Sequence, residues 1–292
     1  MVLAKAHRGR VRWVTSSGRR QTRSVIEELA EIGITVVSRW IFNCYVIHDG
    51  GGGVPVVVDL GLPSHVDVVA AELARLGVGL EGLHVVATHG HADHLGGVPE
   101  LGRRAEPVLS LPGTLSAMAE GSLPLRSPGP REVARIAPVL GDQPRDLGAL
   151  GELVGAARRV GFDAKRLRLP DLPTGWLADG DKLPQAPDWQ VIHTPGHTDD
   201  SISLYRASTR TLISGDAVLS VGGRAWFNPE MVDRARSEQT ERLLRGLDVE
   251  HLLPGHGRVV RGAVMHEALS FEERPPDTSA VATLRRIFRR HG

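Results

Sequence analysis

The chain has 292 residues, 41% hydrophobic and 24% charged, with a formal net charge of +1. That length suits one large domain or two small ones, and the near-neutral charge gives no global electrostatic case for nucleic acid. No run is apolar and long enough to span a bilayer. The N-terminal stretch lacks the apolar segment of a signal peptide, and one cysteine cannot make an internal disulfide. A cytoplasmic protein is expected, with Cys44 a small buried hydrophobe inside a strand.

The first 24 residues are basic, with Lys5, Arg8, Arg10, Arg12, Arg19, Arg20 and Arg23 and no acid before Glu27. They read as a solvated arm or an edge strand. Ile34 to Ser38 and Trp40 to Ile47 are β-branched and aromatic, hence strands. Val54 to Asp59 is nearly all valine, a strand buried on both faces. Ser64 is expected to cap a helix whose Val69, Leu73 and Leu76 share a face. Leu83 to Thr88 is a further short strand. Eleven of the 19 prolines fall between Pro107 and Pro187, so residues 100–190 read as an insertion covering a site, with one helical pattern around Asp146 to Val160. Strands return at Trp189 to His193, Ile202 to Tyr205 and Thr211 to Ser214. A helix over Glu238 to Leu247 and a strand over Val249 to Leu253 follow. In the tail, Val281, Leu284, Ile287 and Phe288 alternate with arginines as a basic amphipathic helix. The expected organisation is a basic arm (1–24), a catalytic domain (25–270) carrying the insertion, and a basic helical tail (271–292) packed on its own domain.

Of 13 histidines, three lie in Thr88-His89-Gly90-His91-Ala92-Asp93-His94, at the end of a predicted strand. Imidazole nitrogen and carboxylate oxygen are the zinc ligands expected where thiolates are absent. In a compact turn His89 and His91 share a side, and Asp93 and His94 fall on another, so one loop can feed two metals. Glycines 90, 96 and 97 permit the tight backbone. Three further strand ends each carry one metal-competent side chain beside glycine: His197 in Thr194-Pro195-Gly196-His197, Asp216 in Ser214-Gly215-Asp216, and His256 in Pro254-Gly255-His256-Gly257. The histidines at 7, 48, 65, 84, 193, 251, 266 and 291 sit in no motif and read as surface or structural, with His193 hydrogen-bonding inside its turn.

This set, in this order, resembles the metallo-β-lactamase superfamily from about Asn43 to about Val260. The resemblance implies an α+β fold, a four-layer αββα sandwich with the metals at one edge of its two sheets. It implies that His89, His91 and His197 hold one zinc, that Asp93, His94 and His256 hold a second, and that Asp216 bridges them. Asp59, ending an early strand, would buttress the histidine loop. A hydroxide shared by two zinc ions ionises near neutrality and can act as nucleophile, with Asp93 as the catalytic carboxylate that orients it. Iron or manganese suits the same donors.

A bridging Asp216 and the histidine at 91 favour the glyoxalase II and lactonase-like branches over true β-lactamases and over diiron redox proteins. The 103-residue step from His94 to His197 is longer than the glyoxalase pattern implies, and Thr198-Asp199-Asp200-Ser201 lacks a glycine often found there. Trp176, Trp226 and Phe227 are either an apolar substrate wall or core aromatics. The reading is hydrolysis of an ester, thioester or lactone, a small-molecule substrate and not nucleic acid. A phosphodiesterase or ribonuclease of the same fold is the alternative, and a lyase or cyclase a second. No general acid is identified, Tyr45 and Tyr205 both falling in strands, and the oligomeric state is open.

Overall fold

The computed structural model describes residues 10–15, 23–48, 53–163 and 166–275. The expected tail helix over 281–291 and most of the basic arm lie outside them. In chain order, strands β1 (Arg10–Thr15), β2 (Arg23–Leu29), β3 (Ile34–Arg39), β4 (Phe42–Ile47) and β5 (Val56–Val58) lead to helix α1 (Pro63–Arg75) and β6 (His84–Val86). Short helices α2 (Ala92–Leu95) and α3 (Val98–Leu101) follow, then β7 (Val108–Pro112), α4 (Thr114–Ala119), α5 (Pro130–Arg135), α6 (Ala137–Asp142) and α7 (Leu147–Ala157). The next strands are β8 (Gly161–Asp163), β9 (Arg166–Arg168), β10 (Thr174–Leu177), β11 (Lys182–Leu183), β12 (Ala186–His193), β13 (Ile202–Arg206), β14 (Thr211–Gly215), β15 (Val218–Val221) and β16 (Arg224–Phe227). Helix α8 (Arg234–Arg245), β17 (His251–Pro254), β18 (Val260–Arg261) and α9 (Val264–Glu267) complete the described chain.

Two large mixed sheets result, ordered β1-β2-β3-β4-β5-β6-β7-β10 and β11-β12-β13-β14-β17-β18. The two-residue period of a strand sorts side chains between layers. Tyr45, Ile47, Val56, Val58 and Val86 meet Trp189, Val191, Leu204, Ile213 and Leu253 between the sheets. Their neighbours Cys44, Val46, Val57 and Val85 face the other way, onto Val66, Val69 and Leu73 of α1. On the second sheet Leu212 and Leu252 face outward onto Leu244 of α8 and Met265 of α9. Both faces of each sheet are therefore covered, giving helix, sheet, sheet, helix, the expected α+β sandwich. Burial on both faces is why β4 and β5 carry no polar alternation.

Several local expectations change. Helix α1 starts at Pro63, not after a Ser64 cap: proline presets the first helical φ, and Ser64 is occupied elsewhere. Its hydroxyl accepts from Arg39 Nη1 at 2.7 Å and its N–H donates to Glu152 Oε2 at 3.0 Å. Helix α8 begins four residues before Glu238 because Asp233 caps it, accepting from the Arg236 N–H at 3.1 Å. The stretch 100–190 is not all insertion. Its β7 and β10 pair in parallel in the first sheet, and β11 and β12 belong to the second. Only residues 113–173 leave the sheets, and Ile136, Val139 and Ala149 of that excursion pack on Leu62, Leu219 and Trp226. Trp226 and Phe227 are 2% exposed core residues and form no substrate wall, while Trp176 stands half-exposed on the outer strand β10. Among the described residues no helix is long and apolar enough to cross a membrane.

Candidate metal centre

Five strands end at one edge of the sandwich. β5 and β6 run parallel in one sheet, and β14 and β17 run parallel in the other, so their C-terminal ends fall together, where loops are free to carry polar groups. β5 leads directly to Asp59, β6 to the loop beginning Ala87-Thr88-His89, β12 to His197, β14 to Asp216 and β17 to His256. All seven residues expected as ligands converge there. Donor atoms of His89, His91 and His197 lie within 4.8 Å of one another, and so do those of Asp93, His94, Asp216 and His256. Asp216 stands between the groups. Its Oδ2 is 3.1 Å from His256 Nε2, 3.5 Å from His197 Nε2 and 4.0 Å from His89 Nε2. Its Oδ1 is 3.5 Å from His94 Nε2.

The donor set fits divalent metal ions. Buried His89 Nε2, His94 Nε2 and Asp216 Oδ1 have no hydrogen-bond partner among the described residues. Each such atom costs about 1–3 kcal/mol unless something else satisfies it, and their convergence on shared points is what a cation would satisfy. Cys44 is buried in β4 and offers no thiolate, since burial pushes its thiol up, with Asp59 adding to the effect.

Electrostatics divides the site. Burial holds the His89 imidazole well below its ordinary value, helped by the His94 and His91 rings. Burial likewise pushes His91 down to about 3, helped by His197. Both rings therefore keep the neutral form that offers a lone pair. In the other half burial also opposes charge, but carboxylates outweigh it. Asp59 and Asp216 hold His94 well above its ordinary value, and Asp216 with Asp93 pushes His256 up to about 10. Conversely, Asp216 is kept well below the carboxylate range against the cost of burial, by His256 and His94.

Asp59 is wholly buried and accepts from Thr88 N–H at 2.8 Å and Thr88 Oγ1 at 2.9 Å, with His94 Nδ1 at 3.0 Å. Its φ of 60° is a strained region for a non-glycine residue. Three partners on one carboxylate over-determine that strain, a pattern frequent where geometry serves function. Glycine is required at several places around the site, two of them against the ligands' own surroundings. A Cβ on Gly90 would fall 2.6 Å from the Phe162 ring, and one on Gly255 would strike Asp216 Oδ1 and lie 2.9 Å from His94 Cε1.

Other participants have no sequence signature. The Phe162 ring stands edge-on to His91 at 5.1 Å. Buried Asp200 accepts from the Gly90 N–H at 2.7 Å and so holds the loop between two histidines. Arg126, from the excursion, donates to both oxygens of Asp199 and, at 3.2 Å, to Asp233, tying the excursion to the rim beside His197. His193 behaves as expected, with Nε2 3.0 Å from the Asp199 carbonyl. Both tyrosine hydroxyls are engaged, Tyr45 donating to the Pro254 carbonyl at 2.5 Å and Tyr205 to that of Asp248 at 2.8 Å.

Comparison with known proteins agrees with this geometry. The "Probable metallo-hydrolase YflN" of Bacillus subtilis (strain 168) is 29% identical over 228 residues, covering 71% of this chain and 76% of that protein. An "Atrochrysone carboxyl ACP thioesterase" of Aspergillus fumigatus is 25% identical over 219 residues, which are 75% of this chain but 38% of that protein. Among solved structures, a metallo-beta-lactamase family protein from Thermus thermophilus superposes with a TM-score of 0.50 at 19% identity, covering 88% of this chain and 76% of that one, a likeness of fold. The model of the metallo-beta-lactamase superfamily matches residues 39–256, a span that holds all seven converging side chains. The chain belongs to the metallo-beta-lactamase superfamily and is a metal-dependent hydrolase.

Proposed function

We propose that the protein is a dinuclear zinc hydrolase of esters, thioesters or lactones, closer in chemistry to the glyoxalase II and lactonase-like branches than to true β-lactamases. His89, His91 and His197 would hold one ion, Asp93, His94 and His256 the other, and Asp216 would serve both. The observation that carries this reading is the position of Asp216, one oxygen facing His89, His197 and His256 and the other facing His94. When bound, the ions would supply Lewis acidity and a water acidic enough to ionise near neutral pH. Asp93, whose carboxylate is held below its ordinary range by His256 and His94 against the cost of burial, stays ionised and is suited to accept a hydrogen bond from an attacking water and so orient it. At 19% side-chain exposure it is the least enclosed carboxylate of the cluster, with Oδ2 3.2 Å from His256 Nε2. Phe162 and Leu115, both against Gly90, keep water from the back of the histidine loop. A thioester substrate gains support from the relative named as a thioesterase, and donors limited to nitrogen and oxygen support zinc, iron and manganese in common.

The test is metal analysis of the purified protein with a panel of thioester, lactone and phosphodiester substrates, before and after chelator dialysis. Two zinc per chain and turnover of a thioester or lactone that vanishes with chelation and returns with zinc are expected. Turnover confined to phosphodiesters would overturn the substrate class. Failure to take up metal would overturn the dinuclear reading.

A further inference from the structure

Asn228 follows directly on β16, is 5% exposed, and contributes nothing to the ligand set. Its amide is used at both ends. Nδ2 donates to the backbone carbonyl of Asp216 at 2.9 Å, and Oδ1 accepts from the Glu230 N–H at 2.8 Å. The backbone N–H of Asn228 donates to the Ala217 carbonyl at 3.2 Å. The two side-chain bonds leave the amide one orientation, because exchanging Oδ1 and Nδ2 would set carbonyl against carbonyl and N–H against N–H.

The residue held by that amide in turn holds a histidine. The Glu230 carbonyl lies 2.8 Å from His197 Nδ1. A carbonyl only accepts, so Nδ1 carries the proton and Nε2 keeps the lone pair. That Nε2 lies 3.1 Å from His91 Nδ1 and 3.5 Å from Asp216 Oδ2. Asn228 Nδ2 also lies 3.2 Å from His197 Nδ1; with the Nδ1 proton given to the Glu230 carbonyl this is a packing contact against the ring edge and not a hydrogen bond. One side chain thus joins the loop after β12 to the loop after β14, fixing His197 and Asp216 relative to each other.

We propose that Asn228 is a positioning residue that sets the tautomer and ring orientation of His197, and so tunes metal affinity at the three-histidine half of the site in preference to the other half. The inference rests on the dinuclear reading above. The two halves have separate supports: His94 leans on the Asp59 carboxylate, and His197 on a neutral carbonyl held in place by Asn228. A carbonyl that accepts from one ring nitrogen fixes the tautomer and orientation of an imidazole and leaves the other nitrogen free to bind a cation.

The experiment compares wild type with Asn228→Ala and Asn228→Asp. Aspartate keeps the shape but places an oxygen against the Asp216 carbonyl. Zinc binding to metal-stripped protein is followed by calorimetry with a competing chelator, and cobalt binding by its visible absorption. The imidazole nitrogen chemical shifts of the metal-free protein report the tautomer. In both variants one of two binding steps should weaken by about ten- to a hundredfold, the other by no more than about threefold, and in the alanine variant His197 should lose its single Nδ1–H form. The aspartate variant, matched in volume, carries the test if the alanine variant does not fold. Two wild-type steps that both survive unchanged in the variants, or that both fall equally, overturn the assignment to Asn228 alone. Wild-type protein that binds no metal overturns the dinuclear reading and this inference with it.

Discussion

The two halves of the centre use similar rings in opposite electrostatic settings. The three-histidine half contains no carboxylate of its own, and burial together with mutual repulsion keeps His89 and His91 neutral. The mixed half surrounds His94 and His256 with Asp59, Asp93 and Asp216, and both rings are drawn toward their charged form. An imidazole's readiness to give a lone pair is thus set by what stands around it, and carboxylates that help hold a cation also help hold a proton. The first half is prepared for metal by exclusion of charge. The second carries the charge to attract one and must release protons when it does.

The comparison breaks most completely at the residue both halves share. Asp216→Ala should remove metal from both and lower turnover by at least about 10²–10³-fold, whereas His91→Ala should empty only the three-histidine half; metal stoichiometry with kcat separates the two. Gly255→Ala drives a methyl into Asp216 Oδ1 and the edge of His94. It should weaken the mixed half first and cost about 1–3 kcal/mol of stability, read as a fall in Tm of the metal-free protein. Asp59→Asn sharpens the contrast further. Asparagine tolerates the positive φ but gives His94 a neutral partner, so metal affinity at the mixed half alone should fall by about ten- to a hundredfold, measured by chelator competition.

A ring outside the centre serves as a control, since no metal should depend on it. His65 is fully buried, and burial, with Arg39 second, holds its pKa down to about 3. In the unfolded chain it titrates near 6.5, so between these values the unfolded state binds more protons. The His65 contribution to stability is therefore complete above about pH 6.5 and is lost as pH falls toward 3, at up to about 1.4 kcal/mol per pH unit. Denaturant unfolding of His65→Gln should show a shallower acid slope in this window, and a slope equal to wild type would mean that other groups set it.

The candidate site was legible in the sequence because its residues sit singly on strand-end loops, each beside glycine, and the histidine run packs four of them into six positions. Short buried strands were readable as apolar runs, but the pairing of β7 with β10 across the excursion was not, since periodicity carries no information about partners. Proline frequency misled for the same reason: Pro112 and Pro173 lie at strand boundaries, not in a lid. Asn228 in Phe227-Asn228-Pro229 looks like any turn asparagine. Arg39 reaches Asp146 and Glu152 across 107 and 113 residues, and Arg126 reaches Asp199 across 73. Such contacts are set by tertiary packing and leave no local trace.

The excursion departs from the sheet at Pro112 and rejoins it at Thr174, and the strands on either side, β7 and β10, are hydrogen-bonded neighbours with Pro112 opposite Leu177. Because these strands run parallel, the excursion is a crossover that leaves one end of the pair and re-enters at the other, with Thr174 opposite Leu109. A longer or shorter crossover between the same two strands would change the closure entropy only slightly, but this one is also held from within, by Ile136, Val139 and Ala149 in the core and by Leu115 and Phe162 against Gly90. Its exposed turns, such as the one around Leu123, are free to vary and to reshape the approach to the centre, whereas the buried side chains behind the histidine loop must stay for the seven side chains to keep their places.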